Sequence, residues 1–174
     1  NLNENNVDIC EYNLNHFNKF NSTFGFSFHN LRDSACNLFL EHIKQYIKGK
    51  TKVKPFLLVG KDYFNPNLRN INLDYNYRNI NTYENTPNSM GYVVQQYSIG
   101  YDFKGIDYII FSDPKMSYSD IIQCIGRGTR PDGKGENGTN LNKELSIMLP
   151  VFIEEEEGSK YKNIIEVLRY LVID

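Results

Sequence analysis

The chain has 174 residues, 40% of them hydrophobic and 23% charged, which is enough apolar material for one buried core without disulfides or metals. Its formal net charge of -2 excludes a protein that coats nucleic acid through a global basic field, so any phosphate contact must be local. Cys10, Cys36 and Cys124 have neither the short spacing of a zinc motif nor a disulfide pattern, which predicts free thiols in a reducing, intracellular compartment. No apolar run reaches the ~20 residues of a membrane span, and Asn1-Leu2-Asn3-Glu4 has no signal-peptide character.

Residues 1–22 are rich in Asn, with apolar positions at Ile9, Leu14, Phe17 and Phe20 that predict a helix or arm packed on a domain spanning 23–174. Thr23 to Phe28 alternates aromatic with small residues and reads as a strand closed by His29, with Asn30 as N-cap of the next helix. From Leu31 the positions Ala35, Leu38, Phe39, His42, Ile43 and Tyr46 form one helical stripe. The lysine-rich stretch 48–54 is a solvated connection into a buried-type strand, Phe56 to Val59. Between Lys61 and Ser89, Asn, Tyr and Asp dominate and no period carries across.

Regular signals resume at Gly91 to Gln96 and at Asp107 to Phe111, the latter an apolar run suited to burial on both faces of a parallel sheet. Ser117 to Asp120 opens a helix by the pairing of a hydroxyl with an acid three residues on. Pro131 and a Gly-rich stretch end it, Leu145 to Leu149 reads as a last strand, and Tyr161 to Leu171 as an amphipathic helix. Strands alternating with helices predict a three-layer α/β domain with a mostly parallel sheet, in which ligands sit at the carboxyl ends of strands.

Chemistry concentrates between Gln96 and Arg130. Ser98-Ile99-Gly100-Tyr101-Asp102 precedes the strand at 107–111; Ser112-Asp113-Pro114-Lys115 follows it; then comes Gln123-Cys124-Ile125-Gly126-Arg127-Gly128-Thr129-Arg130. Arginines three apart near a helix end lie on one face, and two planar, permanently charged forks match phosphate oxygens. An isolated Arg-x-x-Arg would be read as helix-end cations that complement the macrodipole. The full eight-residue pattern behind a Gly-x-Asp and a buried strand points to nucleotide instead.

Gln-x-x-Gly-Arg-x-x-Arg resembles motif VI of superfamily 2 helicases, and Gly100-x-Asp102 resembles their motif V, in the order found in that family. Phe26 to Asn30 is placed like motif IV. The likeness covers the chain from about Thr23 onward and is similar to the motors of restriction-type enzymes and DNA-virus helicases. It implies a RecA-like domain of the P-loop NTPase type, with Arg130 as an arginine finger and Arg127 as its phosphate-binding companion. Gly100, Asp102, Gln123 and Gly126 would border the nucleotide; His29, Asn30, Gln96, Tyr97 and Ser98 would border nucleic acid, DNA rather than RNA. The threonine usual early in motif V has no counterpart beside Val93 and Val94, leaving Gln95 or Gln96 to fill its place.

No G-x-x-x-x-G-K-[ST] loop is present to cradle phosphates and no acidic pair precedes it to hold a cation. The resemblance therefore implies ATP and Mg²⁺ bound mainly by an N-terminal RecA-like lobe of the same polypeptide, and no hydrolysis by this domain alone. A degenerate lobe kept as a scaffold is the competing expectation. A dinucleotide-binding oxidoreductase is disfavoured because no G-x-G-x-x-G follows a strand.

Overall fold

Period two is built into the strands, and it divides the core into two halves. In the computed structural model, which describes residues 2–71, 73–94, 103, 105–113, 118–128, 144–149 and 162–173, β1 (Phe24–His29) sits at the centre of a five-stranded sheet. Around it lie β2 (Lys54–Leu58), β3 (Ser89–Val94), β4 (Tyr108–Phe111) and β5 (Ser146–Met148), in the order β2-β3-β1-β4-β5 with every pairing parallel. On one face Leu57, Met90, Tyr92, Tyr108 and Ile110 pack beneath α1 (Leu2–Lys19) and α2 (Arg32–Ile47). On the other, Phe26, Phe28, Phe56, Ile109 and Phe111 meet α4 (Ile80–Glu84), α5 (Tyr118–Gly128) and α6 (Lys162–Ile173). This is the three-layer α/β arrangement expected from the alternation of elements.

α1 buries Cys10, Leu14 and Phe17, a stripe at steps of four and three. Buried Asn13 lies on the same helix, and its side-chain oxygen accepts a 2.6 Å hydrogen bond from the Tyr108 hydroxyl of β4. Phe17 meets the Tyr108 ring edge-on at 5.3 Å. On the opposite face Tyr83 stacks on Phe26 at 5.4 Å and donates its hydroxyl to the Gly25 carbonyl at 2.7 Å. Each such fully buried ring contributes roughly 1.5–3 kcal/mol by area.

Two local expectations need correcting. The stretch 61–89, read as lacking regular structure, holds three single turns: α3 (Pro66–Arg69), a 3-10 turn (Tyr75–Arg78) and α4. Asn65, Asp74 and Asn79 cap them, each side chain accepting from the backbone N–H two residues on at 2.9–3.0 Å. Asn and Asp start helices as readily as they make loops, and elements of four or five residues are too short to show a period. The second correction concerns α2, whose N-cap position is Leu31 and not Asn30, with no side-chain cap bond. The Asn30 backbone N–H instead donates to the Asp113 carboxylate at 2.6 Å, so this turn is tied by a tertiary contact that local sequence does not reveal.

His42 is fully buried on α2. Its Nε2–H donates to the Val53 carbonyl at 2.7 Å, so Nδ1 accepts the Tyr92 hydroxyl at 2.8 Å. Burial drives its pKa down to about 4, against a smaller opposing pull from the Val53 carbonyl.

Two predictions follow from this packing. A Cβ on Gly91, in mid-strand between β1 and β2, would sit 3.0 Å from both Leu58 Cδ1 and Phe26 Cε1, and Phe26 is pinned by Tyr83. Gly91→Val should therefore cost about 1–3 kcal/mol in urea unfolding; an unchanged midpoint would show that the sheet gives way there. For His42, the unfolded chain takes up a proton near pH 6.5 while the folded one resists until about 4, so stability falls as pH drops through that window. The limiting slope is about 1.4 kcal/mol per pH unit. Unfolding curves at pH 7 and pH 5 should show His42→Gln losing less stability on acidification than the parent, and equal losses would disprove the assignment.

Candidate functional site

Neighbouring strands β1 and β4 send the chain to opposite faces of the sheet, β1 into α2 and β4 toward α5. Divergence of adjacent strand ends opens a crevice at the carboxyl edge of a parallel sheet, the place where such folds bind ligands. The residues that reach this edge are His29 and Asn30 from β1, Ser112 and Asp113 from β4, and the first turn of α2.

A single polar chain joins them. Ser27 and His29, two apart on β1, share the face toward α2 and are both buried. The Asp113 carboxylate only accepts, so the Ser34 hydroxyl donates to it at 3.2 Å and in turn accepts from His29 Nδ1–H at 2.9 Å. That tautomer leaves His29 Nε2 to accept the Ser27 hydroxyl at 2.8 Å, and the Ser27 oxygen to accept the Ser112 hydroxyl at 2.6 Å. Every hydroxyl along Ser112–Ser27–His29–Ser34–Asp113 thus has one orientation. Burial lowers the His29 pKa to about 4, and Asp113, 4.0 Å from Nδ1, offsets only part of that effect. The ring is neutral at physiological pH, as a one-donor, one-acceptor link requires.

A cleft of about 850 Å³ opens beside this chain, lined among others by His29, Asp33, Ser34, Asn37, Glu41 and Asp113. Among the described residues its lining holds three carboxylates and one cation, Lys44, an excess of negative charge that does not suit a polyphosphate.

On α5 the buried positions are Ile121, Cys124 and Ile125, while Ile122 is 56% exposed and Gln123 is exposed as well. The helix carries Gly126 and Arg127 within its described backbone, and position 127 stands four residues after Gln123, one turn along the same face. Arg130, Gly100, Asp102, Gln96, Tyr97 and Ser98 lie outside the described residues, so the structure brings together only His29 and Asn30 at the edge and Gln123, Gly126 and Arg127 on α5.

Ser27 and Ser34 were not singled out in the sequence, and Asp113 stood there only within Ser112-Asp113-Pro114-Lys115, with no role assigned. The one available signal was a small polar residue and a histidine alternating with phenylalanines in Phe26-Ser27-Phe28-His29, since a core strand carries polar side chains on one face only when they find partners. Beyond β2, Phe64 is 56% exposed with the Arg69 guanidinium 4.7 Å from its ring centre, and Arg32 pairs with Asp62 at 3.0 Å.

No protein-family model matches the sequence, and no curated protein is detectably similar to it. Among solved structures the chain is similar to the Mycobacterium smegmatis helicase Lhr bound to ssDNA and AMP-PNP, with a TM-score of 0.53 and 13% identity over 99% of this chain. It is also similar to the C-terminal part of the Fun30 ATPase domain, at 13% identity over 84% of this chain and 40% of that one, with a TM-score of 0.47 that is too low to add weight. The chain spans 19% of the length of the Lhr chain. At this identity the likeness speaks for architecture alone, and together with the all-parallel sheet it establishes a three-layer RecA-like fold.

Proposed function

We propose that the chain is the second RecA-like motor domain of a superfamily 2, ATP-dependent helicase or translocase. The observation that carries this reading is a conjunction: Gln123-x-x-Gly126-Arg127-x-x-Arg130 begins on the helix that follows a central parallel strand, in a fold like that of a helicase. ATP and Mg²⁺ are held mainly by an N-terminal lobe of the same polypeptide. Arg127 and Arg130 serve the triphosphate, Arg127 as a phosphate-binding companion and Arg130 as the finger that neutralises charge migrating onto the terminal phosphate. Gln123, Gly126, Gly100 and Asp102 border the nucleotide.

Nucleic acid, DNA in preference to RNA, runs over the carboxyl edge, with Asn30 and the segment Gln96-Tyr97-Ser98 against its backbone and His29 as buried support for Asn30. Support for a nucleic-acid partner comes from Lhr, which is described bound to ssDNA; with a formal net charge of -2 any such contact here is local. Closure and reopening of the two lobes around ATP then moves the strand.

The test uses the complete two-lobe protein. ATP hydrolysis should rise on addition of single-stranded DNA and less on addition of RNA, while this domain by itself hydrolyses nothing. Arg130→Ala should lower turnover by about 10³-fold or more with nucleotide still bound, and Arg130→Lys should not restore it, because a point charge lacks the planar fork. Wild-type turnover in Arg130→Ala removes the finger; a two-lobe protein that binds nucleic acid without ever hydrolysing ATP supports a scaffold lobe in its place.

A further inference from the structure

The hydrogen-bonded ladder between β1 and β4 ends where the Ser112 N–H donates to the Phe28 carbonyl at 3.1 Å. Past that point the two chains diverge to opposite faces of the sheet, yet one carboxylate still ties them. Asp113 accepts the Asn30 N–H through one oxygen at 2.6 Å and the Ser34 hydroxyl through the other at 3.2 Å. α2 has no side-chain cap of its own, so the turn that presents Asn30 has Asp113 as its anchor. Only residues 114–117 separate that anchor from α5.

We propose that Asp113, acting through the Ser112–Ser27–His29–Ser34 chain, is a positioning residue that couples the β1–α2 junction to the helix carrying Arg127. The inference rests on the motor-domain reading and adds to it a path between the nucleic-acid side of the edge and the nucleotide side. Asp113 is poorly placed to serve as a fold determinant, since four registered residue pairs already hold β1 to β4 and its side chain remains 24% exposed. Its two bonds share one carboxylate, so a shift of the end of β4, which packs with α5 through Phe111, breaks or makes both together. The hydroxyl chain sharpens the response. Its single direction is set by the acceptor-only carboxylate at one end, and loss of that end releases every donor back to the buried Ser27 and His29. The structure shows the engaged arrangement, and coupling between distant sites requires a second, released one.

The experiment compares Asp113→Asn, Ser34→Ala and Ser34→Thr in the complete two-lobe protein, with ATP turnover measured with and without single-stranded DNA and melting temperature followed in parallel. In Asp113→Asn and Ser34→Ala the ratio of stimulated to basal turnover should fall about 10-fold, the factor that loss of a charge-assisted hydrogen bond implies. Basal kcat and the KM for ATP should stay within about twofold, and Ser34→Thr, which restores the hydroxyl, should recover the ratio. If Asp113→Asn does not fold, the two Ser34 variants decide. A wild-type ratio with only a lowered melting temperature overturns the proposal and leaves a structural tie. A parent protein that DNA never stimulates sinks the motor reading itself, and the coupling with it, whereas a stimulated parent with an unaffected Ser34→Ala sinks the coupling alone.

Discussion

A parallel sheet buried on both faces must be covered twice, and that requirement governs the rest of this molecule. The strands divide their side chains between two layers, with Met90, Tyr92 and Ile110 under α1 and α2 and with Phe26, Phe28 and Phe111 under α4, α5 and α6. Parallel pairing forces crossovers, and crossovers supply the helices that do the covering. The same rule forces the chain to leave β1 and β4 in opposite directions. The crevice between them is thus a consequence of how the core is closed, and the site inherits its position from the packing.

Within that apolar frame three buried polar side chains are bonded, while the Asn13 amide nitrogen has no partner among the described residues. Ser27, His29 and His42 are buried polar residues on strands and helices that otherwise carry hydrophobic side chains inward. His42 is bonded at both nitrogens to neighbours that are themselves core residues, Tyr92 and the Val53 carbonyl, and its place is structural. His29 is bonded at both nitrogens as well, but its partners lead outward to Ser34 and Asp113 at the edge of the sheet. Two histidines with the same burial and the same lowered pKa therefore differ in what they connect, and the direction of their hydrogen bonds separates them.

The functional reading joins two kinds of observation that are independent of each other. The arginine pattern is a statement about residue types and spacing, drawn from sequence. The likeness to Lhr is a statement about architecture, at an identity too low to carry residue roles. They meet at α5, which follows β4 and carries Gln123, Gly126 and Arg127. The acid-lined cleft beside α2 takes none of its described lining from α5.

The sequence by itself determined the fold class, because period two in the strands and a helical stripe from Ala35 to Ile43 depend only on which residues are apolar. It also determined the arginine pattern, which requires nothing but identity and spacing. It did not reveal the single turns between 61 and 85, because four or five residues cannot display a period, nor the start of α2, because the group that holds Asn30 stands eighty-three residues away in the chain. Asp113 could be read only as a polar residue after a strand until the sheet order placed β4 beside β1. Tertiary structure alone decided that a serine, a histidine and a carboxylate from three elements form one directed chain, since hydrogen bonds of fixed length and angle are set by the pairing of strands distant in sequence.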